Sequence, residues 1–205
     1  MATIDNFQYQ IDRVTQDFKR HLSTTGTTME LINTKKDRIN NILYLSKLPQ
    51  IDFNERLCNK NLFDFIENFY KNNLYITSYK SGICKTLSTI HFATKYYINN
   101  FKYVLYYSSP ELLRKINSEQ FHKNSTDLIT DLKRIDLLII DDLGKERITE
   151  SSCSTIFEII DYRYLNNKIT WITSNYAAAE LKEKFFDYGD AIARRIKDKY
   201  EIYAE

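Results

Sequence analysis

At 205 residues, 43% of them hydrophobic and 27% charged, the chain is long enough for one packed domain plus a short appendage. A formal net charge of +2 excludes a general basic coat for nucleic acid, so any DNA-facing surface must be local. Cys58, Cys84 and Cys153 stand far apart with no C-x-x-C pair, which argues against a zinc knuckle or disulfide framework. Together with apolar runs too short for a bilayer and no signal peptide, this predicts a cytoplasmic protein without membrane contact.

In chain order, Ile4, Phe7, Ile11, Val14, Phe18 and Leu22 recur at steps of three and four and predict an amphipathic helix over 3–22. "STTGTT" breaks it, and Thr27 with Glu30 forms a capping box that opens a second helix to about Lys47. Residues 1–47 thus read as a helical hairpin with an apolar stripe in need of burial. It is either a structural extension of the domain that follows or a docking arm for a partner. "SKLPQIDFNE" connects it to residues 48–205, with Pro49 ending the helix.

Beyond the connector, a helix is predicted over 61–70, then short apolar strands alternate with helices. The strands are 74–78, 103–108, 136–141, 169–174 and 199–203. The helices are 86–98, 110–117, 126–133, 152–165, 178–186 and 189–197. That alternation predicts an α/β fold with a mostly parallel sheet flanked by helices on both faces. Glycine is scarce: Gly26, Gly82, Gly144 and Gly189 are the four in the chain, and such residues are expected where backbone geometry demands them.

"SYKSGICKT" (78–86) follows the first strand and leads into the helix of Leu87, Ile90, Ala93 and Tyr97. It reads either as a phosphate loop, G-x-x-x-x-G-K-[ST], with Tyr79 and Cys84 in place of two glycines, or as a coincidental Lys-Thr pair. The amides of Ser81, Gly82, Ile83, Cys84, Lys85 and Thr86 would surround phosphates at a helix N-terminus. There Lys85 would neutralise charge and Thr86 would ligate Mg²⁺. If position 84 needs positive φ, a Cβ there costs on the order of 1 kcal/mol.

About 55 residues on, "RIDLLIIDDLG" (134–144) is an aliphatic strand ending in Asp141 and Asp142. In nucleotide-hydrolysing α/β proteins such a pair holds the metal (Asp141) and orients or deprotonates water (Asp142); alone, it reads first as a buried strand followed by a turn. "ITWITSN" places Asn175 at a strand end, as a holder of water or γ-phosphate, as a helix cap, or as both. "GDAIARRIKDKYEIY" carries Arg194 and Arg195, either a solvated helix face or the source of an arginine that acts on a neighbouring subunit's γ-phosphate.

The order of these segments resembles the DnaC/DnaI-type helicase loaders and the related IstB transposition ATPases, within the AAA+ class. "KYVLYYSSPELLRKI", "DLLIIDDLGKERITE", "IFEIIDYRYLNNKITWITSNY" and "GDAIARRI" carry the likeness over about residues 46–205. The resemblance implies an AAA+ P-loop core over 48–205 that binds ATP and Mg²⁺ and has no C-terminal lid. It also implies self-association through the ATP interface, binding of single-stranded DNA, and placement of a hexameric, DnaB-type replicative helicase on DNA. The segment 1–47 would grip the helicase. On the same basis Lys85 and Thr86 match the phosphate-loop pair, Gly82 its middle glycine, Asp141 and Asp142 the Walker B pair, and Asn175 the sensor asparagine. Arg195 matches the arginine of the R-I-x-S-R-L motif, but Ala191 and Arg194 depart from that motif, so the acting arginine is Arg194 or Arg195. An inserted helical element that lines the DNA path in the family falls at "PELLRKINSEQFHKNSTDL". That makes Arg114, Lys115 and Lys123 phosphate contacts, with Phe121 or His122 to stack on a base, against an ordinary solvated crossover. The short hairpin and eroded loop suggest a phage or mobile-element protein with weak ATPase activity. The alternatives are a non-hydrolysing adaptor or inhibitor of the helicase and an IstB-like transposition ATPase.

Overall fold

A computed structural model describes residues 35–49, 58–100, 102–120, 125–145 and 149–205. The chain divides into two units, Met1–Asn41 and Ile42–Glu205. The predicted helix over 3–22 and the capping box at Thr27 lie outside the described residues, as do Phe121, His122 and Lys123.

Helix α1 (Lys35–Ser46) ends where Ser46 Oγ donates to the Leu43 carbonyl, 2.7 Å, just ahead of Lys47 at φ 56°. Helix α2 (Lys60–Phe69) starts because Asn59 accepts the Leu62 amide, and it buries Leu62 and Ile66 one turn apart. Then come β1 (Asn73–Thr77), α3 (Lys85–Tyr96), a 3₁₀ turn (Ile98–Asn100), β2 (Val104–Ser108), α4 (Ser109–Gln120), α5 (Ser125–Arg134) and β3 (Leu137–Asp141). The series closes with α6 (Glu150–Leu165), β4 (Ile169–Ser174), α7 (Leu181–Lys184), a 3₁₀ turn (Phe186–Tyr188), α8 (Gly189–Lys199) and β5 (Tyr200–Ala204).

The five strands form one sheet in the order β2-β3-β4-β1-β5, every neighbouring pair parallel. Leu74, Tyr75, Ile76, Leu137, Leu138, Ile139, Trp171 and Ile172 are fully buried, as strands covered on both faces require. Each such Leu or Ile contributes about 1.5–3 kcal/mol of transfer free energy. Trp171 is held edge-on by Tyr97, and its indole N–H donates to the Asn72 carbonyl, 3.1 Å.

From β1 the chain moves outward to β2, whereas β2, β3 and β4 each lead in the other direction. Right-handed crossovers therefore put α3 on one face and α4 to α8 on the other. The connections leaving β1 and β4 diverge, so a crevice opens between the carboxyl ends of these adjacent strands.

Among the described residues, the predicted helix over 178–186 comes out differently. Only Leu181–Lys184 is α-helical, because burial of Leu181 and Phe185 turns the chain inward and leaves Phe186 exposed at φ 47°. Of the glycines, Gly82 and Gly144 take φ of +85° and +89°. Gly189 is helical, but a Cβ on it would lie 2.3 Å from the Lys182 carbonyl oxygen, so what requires glycine there is a close backbone approach.

Candidate nucleotide-binding site

The loop after β1 lies at this carboxyl end of the sheet. Ser78 continues the ladder by donating its amide to the Ser174 carbonyl, 3.3 Å, and its hydroxyl accepts the Lys80 amide, 3.0 Å. Gly82 and Cys84 both adopt left-handed backbone, Cys84 at φ 65° and ψ 34° directly before α3. This is the conformation that presents successive amides to one point, and the first amides of α3 have no acceptor within the helix. Position 84 is therefore where the sequence places a Cβ in a glycine conformation.

Lys85 is buried, and its ammonium donates to the Ser78 carbonyl, 3.0 Å, and to Asn175 Oδ1, 2.8 Å. Burial lowers its pKa below the usual lysine value, and the nearby carboxylates of Asp142 and Asp141 act the other way. The Thr86 hydroxyl lies 2.9 Å from each oxygen of Asp141 and donates to that carboxylate. Asp141 also accepts from Tyr106 (2.9 Å, Oδ2) and Thr173 (2.6 Å, Oδ1). Asp142 takes φ 58°, its amide donating to Thr173 Oγ1, 2.8 Å, and its carboxylate pairs with Lys145 at 3.1 Å. Ser174 Oγ bonds the Leu143 carbonyl, 2.7 Å, and accepts the Tyr176 amide, 3.0 Å, which fixes the turn that carries Asn175.

Thus Lys85, Thr86, Asp141, Asp142 and Asn175 converge at one end of β1, β3 and β4. The Thr86 hydroxyl and Asp141 carboxylate are an all-oxygen pair suited to a hard cation. Among the described residues no three His, Cys, Asp or Glu side chains gather as a metal cage. The pair fits Mg²⁺, which takes one or two protein oxygens and completes its shell with water and phosphate. Bound there, Mg²⁺ would neutralise phosphate charge.

Other predicted residues stand apart from this cluster. Arg195 donates to Asp161 (Nε, 2.6 Å) and to the Ala191 carbonyl (3.0 Å), with its guanidinium 4.7 Å over the Phe157 ring. Arg194, beside it on α8, is exposed. On α4, Arg114 is exposed and Lys115 pairs loosely with Glu111 at 4.0 Å, 5.4 Å over the Tyr107 ring.

The family described as IstB-like ATP binding protein matches residues 18–202. This chain belongs to that family. A curated relative from Sinorhizobium fredii strain NGR234, described as insertion sequence ATP-binding protein y4uH, is 32% identical over 95 residues. That match takes in 45% of this chain and 38% of the relative, so the chain spans well under half of that protein's length. Among solved structures, the DnaC helicase loader superposes with a TM-score of 0.62 at 22% identity, covering 78% of this chain and 96% of the loader. AMPPCP-bound DnaA from Aquifex aeolicus gives 0.57 at 18% identity, covering 81% of this chain and 49% of DnaA. The fold of this IstB-like chain is the AAA+ P-loop fold.

Sequence reasoning missed several groups that shape the IstB-like site. Tyr106 and Thr173 sit inside apolar runs and read as ordinary strand formers, although both bond Asp141. Tyr79, in the place of the first loop glycine, is exposed and donates to Glu180, which also accepts the Ala177 amide, 2.6 Å. Lys80 pairs with Glu205 at 3.3 Å. The left-handed Cys84 yields a direct test. Cys84→Gly removes a Cβ from a conformation that costs about 1 kcal/mol in any residue but glycine. Unfolded-chain entropy offsets most of that gain in stability. Because position 84 carries that strain with or without bound nucleotide, we expect ATP-analogue affinity to stay within about two-fold of wild type, with little change in melting temperature, measured by analogue titration and a thermal melt.

Proposed function

We propose that this chain is an ATP-dependent helicase loader that binds Mg²⁺–ATP and single-stranded DNA and places a hexameric replicative helicase on DNA. The observation that carries the nucleotide part is the meeting of Lys85 with Asn175, and of Thr86 with Asp141, at the carboxyl ends of adjacent parallel strands. The loader part is supported by the superposition that accounts for 96% of the DnaC helicase loader structure. The loop amides and Lys85 bind the triphosphate, Asp141 and Thr86 hold the cation, and Asn175 and Asp142 orient the attacking water. Arg194, exposed on α8, reaches the γ-phosphate of a neighbouring copy, while Arg195 is held by Asp161 and steadies the helix that presents it. Arg114, Lys115 and Lys123 contact DNA phosphates, residues 1–47 grip the helicase, and residues 48–205 are the ATPase core.

A second reading, an ATPase that serves a transposase on duplex DNA, is supported by the insertion-sequence relative and the family description. The two separate in one set of measurements on the full chain. A loader retains the replicative helicase in a pull-down, and its ATPase depends on single-stranded DNA and on Lys85 and Asp142. Capture of transposase with no retention of helicase, and stimulation by duplex DNA, would overturn the loader in favour of the second reading. Helicase binding without any Lys85- and Asp142-dependent turnover would make the chain a non-hydrolysing adaptor.

A further inference from the structure

Asp141 is more heavily hydrogen-bonded than its role as a single cation ligand demands. It is buried, and hydroxyls reach it from three elements: Thr86 from α3, Tyr106 from β2 and Thr173 from β4. Strand order explains the geometry. β2 and β4 flank β3, and pairing of Ser108 with Asp141 puts Tyr106, two residues earlier, diagonally across the same sheet face. Pairing of Ile140 with Ile172 brings Thr173 alongside Asp141 on the other flank.

We propose that Tyr106 is a positioning residue that fixes the Asp141 carboxylate for the nucleotide's divalent cation, an inference that rests on the nucleotide reading above. A carboxylate rotates freely unless both oxygens are held, and it offers about four acceptor positions. Thr173 fixes Oδ1 and Tyr106 fixes Oδ2, each from inside the sheet, which leaves the side facing the mouth of the loop to the Thr86 hydroxyl. Without the phenol, Oδ2 keeps only the Thr86 hydroxyl, the same group the cation would engage. The ring of Tyr106 is buried, where phenylalanine would pack as well, and a buried hydroxyl costs free energy unless it finds a partner. Asp141 is that partner. Thr173 is the less separable member of the pair, because its oxygen also accepts the Asp142 amide at 2.8 Å.

The test is the Mg²⁺ dependence of binding of a non-hydrolysable ATP analogue to the full chain, titrated from EDTA to saturating Mg²⁺. Tyr106→Phe should need about ten-fold more Mg²⁺ for half-maximal binding, the lower end of losses seen when groups behind a metal ligand are removed. Its affinity in EDTA should match wild type, and its thermal melt should stay cooperative, lowered by no more than the loss of one hydrogen bond. Thr173→Val, a second variant, should shift the Mg²⁺ midpoint the same way, and Thr173→Ser should restore it. An unchanged Mg²⁺ midpoint in Tyr106→Phe, or an equal loss in EDTA and in Mg²⁺, overturns the proposal and leaves the nucleotide site standing. Failure of wild type to bind the analogue, or equal binding by Lys85→Ala, brings down the nucleotide reading itself and the proposal with it.

Discussion

Lys85→Ala is expected to lose ATP-analogue binding by roughly 100-fold or more. The ammonium is buried at the loop mouth, aimed by the Ser78 carbonyl and Asn175, and burial has already stripped much of its hydration. Truncating a buried, hydrogen-bonded charge that meets an opposite charge costs about 2–5 kcal/mol, at about 1.4 kcal/mol per decade of affinity. A fluorescent analogue titrated against both proteins measures the loss, and a thermal melt confirms that the variant is folded. Equal affinities would mean that the loop does not hold a triphosphate. Arg195 serves as contrast: its bond to Asp161 lies on α6 and α8, so Arg195→Ala should leave analogue affinity at the wild-type level.

The largest expected effect on stability comes from a residue far from the loop. Arg163 on α6 is completely buried, and its guanidinium donates to the carbonyls of Leu132, Lys133, Ile135 and Ile169 and to the Thr170 hydroxyl, 2.8 Å. Burial pushes its pKa down to about 10, which still leaves it charged at neutral pH. Arg163→Leu fits the volume and orphans those acceptors, at about 1–3 kcal/mol for each that water cannot reach. We expect a loss of about 4 kcal/mol, near the upper end for single substitutions and a large part of a domain's usual 5–15 kcal/mol. Urea unfolding followed by circular dichroism measures it; a loss under about 1 kcal/mol would show that the carbonyls find water instead. The carbonyls concerned end α5 and open β3 and β4, the two strands that deliver Asp141 and Asn175 at their far ends.

The sheet was legible because its strands are short aliphatic runs between helical periods, and "ITWITS" coincides with β4 residue for residue. Lys85, Thr86, Asp141 and Asn175 were legible because their residue types follow strand ends in the right order. The contacts that refine the site were not. A tyrosine in "YVLYYS" or a threonine in "ITWITS" is what strand propensity alone would place there. That their hydroxyls meet Asp141 depends on β2 and β4 flanking β3, a lateral order that chain order does not state. Arg163 was hidden in the same way, since a charged residue on a helix reads as surface until its neighbours are known. The short α7 was misread because alanines and lysines favour a helix locally, while burial of Phe185 bends the chain away from it.

The placement of β1 sets when the loop can take shape during synthesis. Its two neighbours in the sheet, β4 and β5, are made after β2 and β3, and Lys85 waits 90 residues for its Asn175 partner. Translation proceeds at about 5–20 residues per second, so for several seconds the loop has left the ribosome with no wall to close against. A nascent chain therefore has no crevice between β1 and β4 until β4 has joined the sheet.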